Sequence, residues 1–124
     1  MAKPKFTKSV LTALRGIAHG FSKERNIKIQ ALLGLIVIII SLLLRIPRNE
    51  IILILFVAFL VIITELINTS IEKLIDIIHP KHHKEIGKIK DILAGAVLLS
   101  VILSIIVGLL ILLKPVIEVL KIIF

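Results

Sequence analysis

The sequence predicts an all-α integral membrane protein, with an N-terminal amphipathic interfacial helix followed by three transmembrane helices. Three observations carry that prediction. Of the 124 residues, 58% are hydrophobic, more apolar surface than one small soluble domain could cover. Three apolar runs have lengths close to what a bilayer crossing needs. The basic residues behind the formal charge of +8 flank those runs, with no aromatic platform or nucleic-acid motif between them, so the charge reads as a membrane-interface signal. Cysteine, tryptophan and tyrosine are absent, which excludes a disulfide framework and thiolate chemistry and leaves no Trp/Tyr belt.

The whole chain, 1–124, reads as one membrane domain. Residues 1–6 form a basic arm that leads into an amphipathic stretch with no small-residue cleavage site, unlike a cleaved signal. Over 7–23, Val10, Leu11, Leu14, Ile17, Ala18 and Phe21 recur at helical spacing, with Lys8, Arg15, His19 and Lys23 largely off that face. Thr7 or Ser9 suits the cap, and the helix suits either the lipid interface or the flank of a bundle. Glu24-Arg25-Asn26 interrupts the pattern. A first span is predicted over about 28–46, apolar from Ile29 to Leu44 apart from Gln30 and Ser41. That core covers only about 24 Å, so Lys28 and Arg45 are expected to snorkel at its ends.

Pro47 breaks the chain and Asn49 suits the next cap, so a second span is predicted over about 50–78. A polar connection follows from His79 to Lys88, with Gly87 as a predicted break. The third span, about 90–113, carries Gly95, Ser100, Ser104 and Gly108 at close to four-residue spacing, which favours close approach of neighbouring backbones. Pro115 is predicted to end that helix, leaving an apolar tail, 115–124, too short to cross and suited to the interface. Seven Lys/Arg precede the first span and five lie between Lys73 and Lys90, against two in the Arg45–Arg48 loop and two in the tail. That bias predicts a cytoplasmic N-terminus and second connection, with the C-terminus outside.

The stretch from Thr64 to Asp76 carries the functional signal. It continues the helical pattern of Ile51 to Ile63 with no Gly or Pro. At 100° per residue, Glu65 and Glu72 lie about 20° apart, Glu72 and Asp76 about 40°, and Asn68 about 60° from Glu65. Three acids and an amide share one stripe of a membrane helix. Glu65 falls about 21 Å along from Ile51, inside the hydrocarbon, and Glu72 about 32 Å, at the interface. An acid at membrane depth costs roughly 2.5–3.5 kcal/mol or more and marks a functional site unless a partner neutralises it. No basic residue lies within a turn of Glu65.

With the predicted topology, Glu24, Glu72, Lys90 and Asp91 fall at one membrane face, with Glu65 roughly two turns deeper. Two carboxylates on different helices suit a hard cation such as Mg²⁺, a lysine suits phosphate oxygens, and a recessed carboxylate suits proton abstraction from a lipid hydroxyl. Those are the parts of phosphoryl transfer from ATP. Blander readings stand beside each part: Glu24 with Arg25 as a surface ion pair, Lys90-Asp91 as a helix-end pair, Asn68 and Ser70 as interhelical glue. His79, His82 and His83 fit a solvated loop better than a metal site, because Pro80 intervenes. There is no Walker A motif, no G-x-G-x-x-G and no kinase catalytic loop. The rival reading is a non-enzymatic oligomer, a cation or proton pore or a holin-like protein.

Glu65-Leu66-Ile67-Asn68-Thr69-Ser70-Ile71-Glu72 followed by Asp76 closely resembles the signature of the prokaryotic diacylglycerol kinase family, which includes the undecaprenol kinases. Lys90-Asp91 with Gly95-Ala96, and Gly16 with Glu24, resemble two further family segments, and the resemblance covers about residues 5–113. It implies a homotrimer in the bacterial inner membrane, with composite active sites at subunit interfaces and MgATP and a lipid alcohol as substrates. It further implies Glu65 as general base, with Asn68 in the same catalytic stripe and Ala94 beside Glu65 at the lipid. Glu24 and Glu72 would bind Mg²⁺ with ATP, and Lys90 and Asp91 would contact ATP. Lys5, Thr12, Lys81, His82 and His83 would lie near the nucleotide, although Lys5 stands where some members have arginine. The tail after Pro115 extends past the typical end.

Overall fold

The computed structural model describes residues 5–124 as four helices, with no strand among them. The basic arm's first four residues lie outside that description. Helix α1 runs Phe6–Lys23, α2 Arg25–Leu43, α3 Arg48–Ile78 and α4 Lys84–Ile123. The last three are long and apolar enough to cross a membrane. The protein is thus an all-helical, multi-pass membrane protein.

α1 starts one residue before the predicted helix, with Lys5 in the cap position and no side-chain cap, so Thr7 and Ser9 fall inside the first turn. Its apolar residues Val10, Leu11, Leu14 and Ile17 stay exposed, and only Gly20 is buried, where α1 meets α3. A Cβ on Gly20 would sit 2.6 Å from Leu66 Cδ2, so the missing side chain is what brings the helices this close. An exposed apolar face on an otherwise basic helix is the arrangement of an element lying along headgroups. Glu24, in extended geometry, is the single residue separating α1 from α2.

α2 ends in a tight reversal. Ile46 N–H bonds to Ser41 C=O at 3.1 Å and Arg45 N–H to Leu42 C=O at 3.2 Å, the two bonds of a Schellman motif. Arg45 takes the left-handed position (φ 55°) that glycine usually fills, and the following Ile46 is buried against the hairpin. α3 starts at Arg48 behind Pro47, so Asn49 lies in its first turn and does not cap it.

α3 is the central helix, packing most extensively on α4 and next on α2. Ile27, Ile54, Val57 and Val61 form the small buried core, while most other apolar side chains face outward. That distribution suits lipid as solvent and would be untenable in water. The α3–α4 register is antiparallel, pinned by Thr64 Oγ1 to Ser100 Oγ at 3.0 Å and by the Asp76–Lys90 ion pair. One of the two hydroxyls donates across, while the other gives its proton to the carbonyl a turn back, Val61 O or Val97 O. A double-mutant cycle of Thr64→Val and Ser100→Ala should give a coupling of about 0.6 kcal/mol, the average for hydrogen bonds between membrane helices. Unfolding in mixed micelles measures it, and additive effects would show that the two hydroxyls do not interact.

Further expectations need correction. α4 starts at Lys84 rather than near 90, because His83 Nδ1 accepts from Glu85 N–H at 3.1 Å and caps the helix early. Gly87 consequently lies in the first turn, its N–H bonded to His83 C=O at 2.8 Å, and breaks nothing. Pro115 does not end the helix either: α4 continues to Ile123. Proline there withdraws the donor to the Ile111 carbonyl and crowds that carbonyl, but the apolar Leu112, Leu113, Val116 and Ile117 around it favour a continued helix. Gly95 and Gly108 mark no close approach within the chain, since a Cβ at either meets nothing within 4 Å. The close α2–α3 crossing is at Gly34, whose added Cβ would lie 3.6 Å from Ala58 Cβ.

Candidate functional site

The acidic stripe of α3 faces into the bundle because helix spacing puts Glu65, Asn68 and Glu72 on the side that α2 and α4 cover. Glu65 is 4% exposed and Asn68 8%, although both are polar residues of an apolar helix. Together with Glu72 they line a cavity of about 350 Å³. Its other walls are Glu24 and Asn26 from the α1–α2 junction and Ala94, Val97, Leu98 and Val101 from α4. The antiparallel register accounts for this, since Ala94 to Val101 run opposite Glu72 to Glu65.

Glu65 forms the deep end of the cavity. Asn26 and Gln30 of α2 face its carboxyl, and Glu24 and Glu72 are the nearest other acids. Asn68 Oδ1 is buried without a hydrogen-bond partner, which is costly unless a bound group completes it. Toward the mouth, Lys73 Nζ approaches Glu24 Oε1 to 3.9 Å, and Lys90 pairs with Asp76 one turn beyond Glu72. The cavity is therefore acidic at its lip, amide-lined within and apolar along α4.

This one cavity collects five of the residues singled out from the sequence: Glu24, Glu65, Asn68, Glu72 and Ala94. Lys90 pairs with Asp76, one turn beyond Glu72 on α3, and does not line the cavity. The remaining ones lie elsewhere in this chain. Asp91 is exposed on α4, and Lys5 is exposed ahead of α1. Thr12 donates to Lys8 C=O at 2.9 Å on the exposed face of α1. Lys81 and His82 occupy the exposed α3–α4 loop; His79 Nδ1 lies 2.9 Å from Lys81 C=O, and His83 is committed to the α4 cap. Asn26, Gln30 and Lys73 were not foreseen as site residues. Asn26 and Gln30 are four apart, one above the other on a helix with few other polar side chains, and that spacing was the available signal.

The donor set is one of hard oxygens: two carboxylates at the lip and an unsatisfied amide oxygen beside them, suited to Mg²⁺ and unsuited to soft metals. Among the described residues, no three His, Cys, Asp or Glu side chains gather closely enough to hold a metal ion alone. Oxygens from a bound phosphate would have to complete a shell here, as is usual for Mg²⁺ in phosphoryl-transfer sites.

Three apolar spans with a buried acid beneath a polar, oxygen-lined lip define a small multi-pass membrane protein with a polar cavity within its bundle. Comparison with known proteins narrows this class. Residues 11–112 match the family described as prokaryotic diacylglycerol kinase, and the chain belongs to that family. A diacylglycerol kinase of Synechocystis is 35% identical over 113 residues, which is 90% of this chain and 65% of that protein, so the chain spans about two thirds of that relative's length. An undecaprenol kinase of Bacillus subtilis is 37% identical over 107 residues, 86% of this chain and 87% of that one.

Proposed function

We propose that this protein is a lipid kinase of the bacterial cytoplasmic membrane, transferring the γ-phosphate of ATP to the hydroxyl of a membrane lipid. Diacylglycerol and undecaprenol are the two acceptors its relatives' names suggest. The observation that carries the reading is the buried Glu65 carboxylate at the floor of a cavity whose lip holds Glu24 and Glu72. A recessed base below an oxygen-rich lip suits an acceptor arriving from the bilayer and a nucleotide arriving from water.

Glu65 accepts the hydroxyl proton as the acceptor oxygen bonds to the γ-phosphorus and the bond to the β–γ bridging oxygen breaks, releasing ADP. Asn26 and Gln30 hold the carboxylate in place, and Asn68 lines the cavity in the same stripe, between the base and the lip. Glu24 and Glu72 would hold Mg²⁺, which when bound neutralises charge on the phosphates. Lys90, paired with Asp76 a turn beyond Glu72, would meet phosphate oxygens.

Lys5, Thr12, Lys81, His82, His83 and Asp91 sit away from the cavity of their own chain. That favours a homotrimer with composite sites, in which a neighbour's copies approach the nucleotide. The Lys/Arg bias favours a site facing the cytoplasm, with the N-terminus on the same side and the C-terminus outside. The test is direct: incubate detergent-solubilised protein with labelled ATP, Mg²⁺ and each lipid alcohol. Transfer of label to a lipid is expected, and failure with every alcohol rejects the kinase reading.

A further inference from the structure

Helix α1 is seated on the bundle at one point. Among the described residues of α1, Gly20 alone is buried, Phe21 is half-buried and the rest are exposed. A Cβ on Gly20 would lie 2.6 Å from Leu66 Cδ2 and 3.5 Å from Ile27 Cδ1. Both neighbours are next in sequence to residues of the site: Leu66 follows Glu65 on α3, and Ile27, 0% exposed, follows Asn26 on α2. The Glu24 N–H donates to the Gly20 carbonyl at 3.0 Å, which places the lip acid one turn from that seat. Glu24 is extended (φ −107°, ψ 115°) between α1 and α2, so the seat of α1 holds one side of it and the start of α2 the other. Its carboxylate stands 3.9 Å from Lys73 Nζ, about 10 Å along α3 from Leu66.

We propose that Gly20 is the positioning residue of the lip: its bare Cα lets α1 seat against Leu66, and that seat holds Glu24 at its working distance from Glu72 and Lys73. The inference rests on the lipid-kinase reading of the Glu65 cavity. Gly20 has no positive φ, so the backbone conformation does not require glycine there, and glycine is a poor helix former. Its presence serves the contact. Carbon atoms in contact stand about 3.5–4.0 Å apart, so any side chain at position 20 meets Leu66 about 1 Å too close. A valine brings two further carbons to the place where Leu66 and Ile27 already meet, and α1 must lift to admit them. Glu24 then moves with the helix end while Glu72 stays on α3. Mg²⁺ demands near-ideal octahedral geometry, so a shift of about 1 Å at one of its two proposed carboxylates weakens its hold.

Gly20→Val tests this, with Gly16→Val as the control, since a Cβ at Gly16 meets nothing within 4 Å. Valine is the better helix former at both positions, so α1 itself is not weakened. The first readout needs no turnover. A water-soluble carbodiimide joins a carboxylate to an amine in contact with it and adds no spacer. Peptide mass spectrometry of the treated, solubilised parent should find Glu24 joined to Lys73 and Asp76 joined to Lys90. Gly20→Val should lose most of the Glu24–Lys73 product and keep the Asp76–Lys90 product. In the kinase assay it should need about tenfold more Mg²⁺ for half-maximal rate, with the KM for the lipid unchanged. Adding Leu66→Ala, which removes the carbon that a side chain at position 20 would strike, should restore both readouts. Gly16→Val should match the parent.

A Gly20→Val variant that keeps the Glu24–Lys73 product and the parent's Mg²⁺ requirement overturns the proposal. So do losses that Leu66→Ala leaves unrepaired, or equal losses in Gly16→Val. A parallel fall of the Asp76–Lys90 product would mean that the whole bundle loosens, and also overturns it. A parent that phosphorylates no lipid alcohol refutes the kinase reading instead, while the cross-links still report whether Gly20 sets the spacing at Glu24.

Discussion

Glu65→Gln is expected to lower phosphoryl transfer by about 10²–10⁴-fold while leaving MgATP binding close to that of the parent. Glutamine keeps the volume of the buried side chain and can hydrogen-bond with Asn26 and Gln30, so the cavity should persist. It cannot take a proton. The nucleotide meets the lip rather than the floor, so titration calorimetry of the solubilised variant should register ordinary MgATP binding. Substantial turnover by the variant would dismiss Glu65 as the base. Loss of turnover together with nucleotide binding would instead mean that the floor acid shapes the lip.

The second large effect is expected at the lip. Glu72→Gln should raise the Mg²⁺ concentration needed for half-maximal activity by about tenfold or more, equivalent to at least about 1.4 kcal/mol of lost ion binding. Saturating Mg²⁺ should recover much of the rate, which separates a ligand from a base. Glu72 suits such a role because it lines the cavity about two turns above Glu65, where water reaches. An unchanged Mg²⁺ dependence would remove Glu72 from the ion's shell.

Much of this arrangement is legible in the sequence, and what is not has a physical reason. The α3 stripe could be read because helical periodicity alone fixes which of its residues share a face. The helix spans followed from apolar length, and Glu24 joined the site because it precedes the first span by about a turn, at the same predicted membrane face as Glu72. The roles of Asn26 and Gln30 were hidden, since the rotation of α2 about its own axis depends on how Ile27 packs and on the close crossing of Gly34 with Ala58. The Lys90–Asp76 pair depends on the α3–α4 register, set by a loop whose length turned on the unforeseen His83 cap. Pro115 misled for the opposite reason: a local rule about helix termination yielded to a helix that is mostly apolar before and after it.

The two lysines at the mouth bear on how the protein would treat an ion that arrives by itself. Lys73 stands near Glu24, and Lys90 is paired with Asp76 a turn beyond Glu72, so one of the two lip acids already has ammonium company. A bare divalent cation would have to displace that company and leave an amine stranded at the edge of the lipid. An ion carried on a triphosphate brings oxygens that give the displaced amine a new counter-charge. The entrance would thus discriminate against unaccompanied cations, with occupancy governed by the nucleotide complex rather than by the free metal.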